Sequence, residues 1–224
     1  MTLNLKRKKN MKKENIAIII LIILYAVGLI GSTVLSIDLI KLTPINLMIS
    51  AAILFYFHQP KNAMFWIWTL GVFQAGYILE LLGVTTGRIF GQYFYGNNLG
   101  FKIADVPVII GLNWVMLCYV SMHVCQIVLN KIVPNKNLHI LAKAALAALL
   151  MLIIDIFIEN IAPQLDFWYW KNNVVPIQNY TAWYIFSFVF IFIYHQLDLP
   201  LTNKIAPWLY GLQLAFFVGL NWLY

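Results

Sequence analysis

The sequence predicts an all-α fold, a polytopic transmembrane bundle of about seven helices with a cytoplasmic N-terminus, and three observations carry that expectation. Of its 224 residues 62% are hydrophobic and only 10% are charged, against about 25% charged in a soluble domain. Apolar runs of spanning length recur along the chain. Six basic residues, Lys6, Arg7, Lys8, Lys9, Lys12 and Lys13, stand ahead of the first run.

Charge, Pro, Asn and Gly punctuate the apolar segments at 16–35, 42–57, 63–84, 106–129, 138–161, 180–197 and 205–223, each close to the roughly 20 residues a spanning helix needs. Residues 1–15 read as a basic cytoplasmic tail and 16–224 as one transmembrane domain. The first segment exceeds the apolar core of a signal peptide and further spans follow it, so it reads as a retained helix. With the N-terminus inside, Lys61, Lys131, Lys136 and Lys204 join the tail on the inner side, while Lys41, Arg88, Lys102 and Lys171 fall outside. Lys143 is set aside as intramembrane or snorkelling. The net charge of +7 is thereby explained as a positive-inside signal, and no nucleic-acid partner is expected. Cys118 and Cys125 lie seven residues apart in one apolar segment, too far along a helix axis to bridge each other.

The two longest connections, 85–105 and 162–179, fall on the same, outer side and are rich in aromatic and polar residues. They also echo each other. Each follows an acidic residue near a helix end and precedes a proline seven residues before a tryptophan, Pro107 to Trp114 and Pro176 to Trp183. Such an echo suggests a parallel internal repeat.

Glu80, Asp155 and Glu159 are the acidic residues inside apolar segments, where an ionisable side chain costs a few kcal/mol and is a functional candidate. All three lie toward the outer helix ends, which points to a single site; pairing with Arg88, Lys102 or Lys171 at a wet interface is the alternative. Asp155 and Glu159 are four apart and share a helix face. Two carboxylates so placed do not both ionise cheaply, so one of them is expected to hold a proton, as a general acid must. His58, His123, His139 and His195 are dispersed without paired-ligand spacing, so no metal site is expected. A retinal-binding seven-helix protein would need a lysine within its last helix, and none is there. Gly83, Gly87 and Gly91 lack the strand context of a phosphate-binding loop.

The run Glu80-x-x-Gly83-x-x-Thr86-Gly87-x-x-Phe90-Gly91-x-Tyr93-x-Tyr95 is followed by Pro107, Trp114, Asp155 with Glu159, Trp168-x-Trp170, Pro176 and Asn179-Tyr180-x-x-Trp183. This pattern, spanning about 80–183, resembles the membrane carotenoid biosynthesis proteins that include carotenoid hydratases of the bisanhydrobacterioruberin and γ-carotene type. The chain departs from the family pattern at Val174-Val175-Pro176, where Gly-Val-Pro is usual, and at Asn160, where proline usually follows the acidic residue. The resemblance implies a carotenoid-modifying enzyme that hydrates the terminal double bond of an acyclic end group without any cofactor. Its substrate would be a lipophilic polyene met in the lipid bilayer, and other carotenoid enzymes are candidate partners. Glu80, Asp155 and Glu159 would be catalytic, and Tyr93, Tyr95, Asn113, Trp114, Trp168, Trp170, Asn179, Tyr180 and Trp183 would bind substrate and stabilise a carbocation through their aromatic faces. An end-group cyclase of the lycopene-cyclase kind would use the same protonation. A membrane transporter or lipophilic-ligand binder would also gather carboxyls and aromatics at one depth, although transporters more typically place broken helices near the midplane.

Overall fold

A backbone surrounded by hydrocarbon must satisfy its own polar groups, and a helix does so within one segment. The computed structural model describes residues 2–33, 39–133 and 139–223, with side chains from Met11 onward. Lys136 lies outside the described residues, as do the side chains of Lys6, Arg7, Lys8 and Lys9. Seven α-helices follow in order: α1 Thr2–Thr33, α2 Thr43–Tyr56 after a 3-10 turn at Leu39–Leu42, α3 Ala63–Thr86, α4 Ile109–Ile132, α5 Ile140–Ile161, α6 Ile177–Gln196 and α7 Ile205–Leu223.

Six of these segments are long and apolar enough to cross a membrane. The seventh, α7, is of similar length but is diluted by Pro207, Gln213 and Asn221. The first helix starts well before the expected residue 16 and takes in the basic tail; Lys, Arg, Leu and Met are good helix formers, and no Gly or Pro interrupts them before Gly28. The N-terminus of α3 is capped by Asn62, whose side chain accepts from the Phe65 N–H at 2.7 Å, which satisfies one of the donors a helix start leaves unpaired.

The central helix is α4. It packs against α2, α3, α5, α6 and α7, and every residue from Trp114 to His123 is buried. α5 lies on α6, and α1 lies on α7. The segments after α3 and α5 emerge together at one end of the bundle. At the opposite end Asn203 ties three elements: its Nδ2 donates to the Leu54 carbonyl at 2.7 Å, its N–H to His123 Nε2 at 3.3 Å, and its Oδ1 accepts from the Ile205 N–H at 2.9 Å. Lys204 there pairs with Glu14 at 3.0 Å.

The two long connections are not independent loops. Strand β1 (Tyr93–Tyr95) pairs antiparallel with β4 (Trp168–Trp170) in the register Tyr93↔Trp170, Phe94↔Tyr169, Tyr95↔Trp168. Hydrogen bonds continue on both sides of this ladder, from the Gly96 N–H to the Phe167 carbonyl at 2.9 Å and from the Lys171 N–H to the Gln92 carbonyl at 2.9 Å. Gly96 sits so close that a Cβ there would lie 2.3 Å from the Asp166 carbonyl oxygen, so only glycine permits the approach. Between the ladder and α4, β2 (Lys102–Ile103) and β3 (Val106–Pro107) form a hairpin, turned by Ala104 and Asp105, both at positive φ as a tight two-residue turn requires.

Candidate functional site

Side chains two apart on a strand point to the same face. Tyr93 and Tyr95 on β1 and Trp168 and Trp170 on β4 therefore aim into the bundle together, while Phe94 and Tyr169 stack on the outer face with ring centroids 5.2 Å apart. The inward four hold two carboxyls. Glu80 Oε2 accepts from the Tyr93 hydroxyl at 2.6 Å and the Tyr95 hydroxyl at 2.7 Å, and its Oε1 accepts from Trp114 Nε1 at 3.0 Å. Glu159 Oε2 accepts from Trp168 Nε1 at 2.9 Å and Trp170 Nε1 at 2.7 Å, and its Oε1 accepts from Asn179 Nδ2 at 2.7 Å.

Both glutamates are buried, and every hydrogen-bond partner is neutral. Among the described residues no cation stands within ion-pair distance of Glu80, Asp155 or Glu159. Lys102 donates instead to the Tyr95 carbonyl at 2.9 Å and Lys171 to Gln92 Oε1 at 2.7 Å, so the interfacial ion-pair alternative does not hold for either lysine. Burial first, and then the neighbouring Glu80 carboxyl, push the Tyr93 and Tyr95 hydroxyls well above the ordinary tyrosine range. They stay protonated and available as donors.

Below the glutamates Trp114 and Trp183 stack face to face, with centroids 3.9 Å apart and planes 7° apart. The approach of α3 to α4 depends on Gly76, since a Cβ there would stand 2.7 Å from the Trp114 ring. Phe90 leans on both indoles. Glu80, Glu159, Trp183, Tyr93, Trp170 and Asn179 are among the walls of one cavity of about 10 Å³, at the threshold of about 10–15 Å³ that a single water needs.

The two connections are arranged alike here. Each half supplies a glutamate near the end of one helix, an aromatic-x-aromatic strand that binds it, and a tryptophan on the next helix. The two tryptophans meet face to face where the halves join.

The other expected site residues fall around this core. Asp155 is buried one helical turn from Glu159, with its Oδ2 unpartnered, and it is not among the cavity walls. Asn113 is half-buried and lines a neighbouring, mostly apolar cavity of about 50 Å³ with Tyr25, Asn46 and Gln213. Tyr180 stands half-buried beside Asn179, outside the glutamate cavity. Ile110 and Trp168 line both cavities and form the partition between them. Ile110 and Gln213 carried no sequence signal as site residues, whereas Phe90 lay within the motif without an assigned role.

A family model described as carotenoid biosynthesis protein matches residues 42–218. No curated protein and no solved structure matches the chain.

Proposed function

The chain belongs to the carotenoid biosynthesis protein family, and from that premise we propose that it is a carotenoid hydratase that adds water across the terminal double bond of an acyclic carotenoid end group. The observation that carries this reading is a pair of buried glutamates facing one cavity, walled by indole and phenol rings and sized for one water.

Hydration of a trisubstituted alkene has two parts. A proton adds to the less substituted carbon, leaving a tertiary cation; a water oxygen then bonds to that cation and gives up a proton. One proton enters and one leaves, so the net change is one water and no electron acceptor is consumed. The hydrogen bonds divide the two roles. Glu80 Oε2 faces two hydroxyls, which can turn to accept as well as donate, so a proton on that oxygen keeps its partners. Glu159 Oε2 faces two indole N–H groups, which can only donate and suit a carboxylate. Glu80 is therefore the acid and Glu159 the base that takes the water's proton. Trp183, Trp170 and Tyr93, whose rings wall the cavity, supply the electron-rich surface a cation needs, and Trp114 backs Trp183 from behind. Asp155, which does not line the cavity, acts on Glu159 through its charge across one helical turn.

Expression in lycopene-producing bacteria followed by mass analysis of the pigments tests the reaction. Product heavier by one water supports the hydratase. An isomeric product identifies a cyclase, and unchanged pigment removes both. The ladder end of the bundle is proposed to face outward, following the basic bias of the termini and turns; a reporter fused within 85–105 should be active only outside the cell, and a cytoplasmic signal would reverse the orientation.

A further inference from the structure

At the end of the bundle away from the glutamates, a cavity of about 330 Å³ opens between α4, α5, α6 and the α6–α7 connection. Gln126 and Asn130 reach it from one face of α4, Lys143 from the first turn of α5 and His195 from the last turn of α6. Met122, Leu129 and Leu199 supply part of its apolar wall. None of the lining residues is acidic, and among the described residues no carboxylate stands within ion-pair distance of Lys143. Lys204, by contrast, has Glu14 at 3.0 Å. A half-buried ammonium beside a second basic side chain, ringed by neutral amides, is a charge arrangement without its counter-ion.

We propose that this cavity binds an anion of phosphate chemistry. Lys143 supplies the charge, and His195, Gln126 and Asn130 donate hydrogen bonds around it. The start of α5 adds the positive end of a helix dipole in the same direction as Lys143. Basic pockets between transmembrane helices at a membrane face are suited to anionic lipid headgroups, and the leucines in this wall offer apolar contact beside the donors. A soluble phosphate compound would use the same donors. The proposal is independent of the reaction at the glutamates.

The test uses the purified full-length protein in detergent, with bound lipid read by native mass spectrometry and stability by thermal melting. Dioleoylphosphatidylglycerol should be retained and should raise the melting temperature, whereas dioleoylphosphatidylcholine should do neither. Lys143→Gln should weaken phosphatidylglycerol retention about fivefold, the usual weight of one basic residue at an anionic surface, and Lys143→Arg should keep it. Stabilisation by inorganic phosphate without lipid retention would also support the site and assign it to a soluble ligand. Should Lys143→Gln fail to fold, His195→Leu carries the same comparison, since leucine fills the space of the ring without a donor. Equal retention of the two lipids together with no phosphate effect overturns the proposal, as does undiminished phosphatidylglycerol binding in folded variants of both residues.

Discussion

Glu80→Gln should lower hydrated product per folded enzyme by about a hundredfold or more, the usual cost of removing general acid assistance. The substitution is nearly isosteric and the hydrogen bonds can survive it: the glutamine oxygen can face Trp114 Nε1 while its amide donates to the Tyr93 and Tyr95 hydroxyls, which become acceptors. What disappears is the exchangeable acid proton. Glu159→Gln should show a comparable loss, since its oxygen can keep the two indole N–H groups and Asn179 can turn its amide. Asp155→Asn should cost less, because Asp155 acts through Glu159, and its effect should appear as a displaced pH profile of product formation. Pigment mass analysis normalised to folded protein reads all three. Near-normal hydration by both glutamine variants would refute the carboxyl mechanism and leave the glutamates as structural anchors for the ladder.

Trp114→Ala should be the most damaging single truncation for stability. The ring is fully buried, stacks on Trp183 and donates to Glu80. Removing a buried tryptophan costs about 3–5 kcal/mol in transfer and cavity terms, and the Glu80 oxygen left without its donor adds about 1–3 kcal/mol. A fall in melting temperature on the order of 10 °C follows for a chain of this size. Trp222→Ala is the matched control, because that ring is 88% exposed and should hardly move the transition. Trp114→Phe should fall between, keeping a ring against Trp183 but losing the N–H. If Trp114→Ala melts within a degree or two of the parent protein, the indole stack is not what holds the halves together.

The helices were legible because hydrocarbon imposes length and apolarity on each segment separately. The segment boundaries of α3, α4 and α5 fall within a few residues of the expected ones. Pairing between the long connections was not legible, since a three-residue ladder between distant segments leaves no local period. Its only trace was the spacing of two in Tyr93-x-Tyr95 and Trp168-x-Trp170. The carboxyls were legible for the opposite reason: an acid inside an apolar run is conspicuous wherever it points. Asn113 and Tyr180 show the limit of such reading. Asn113 is the immediate neighbour of Trp114, which binds Glu80, and Tyr180 of the cavity residue Asn179; adjacent residues on a helix diverge by about 100°, so proximity in sequence placed them on other faces.

The ladder and the indole stack also set an order of assembly. Glu80 and Tyr93 are separated by 13 positions and Glu159 and Trp168 by 9, so each carboxyl can find its own donors as soon as one helical pair has inserted. The β1–β4 pairing and the Trp114–Trp183 contact instead join opposite halves of the chain, and contacts of that span form late because loop closure precedes any gain from them. A half-made protein thus shelters each carboxyl among phenols or indoles before the cavity between the halves has all its walls, and that cavity is complete only when the last long-range contacts have closed.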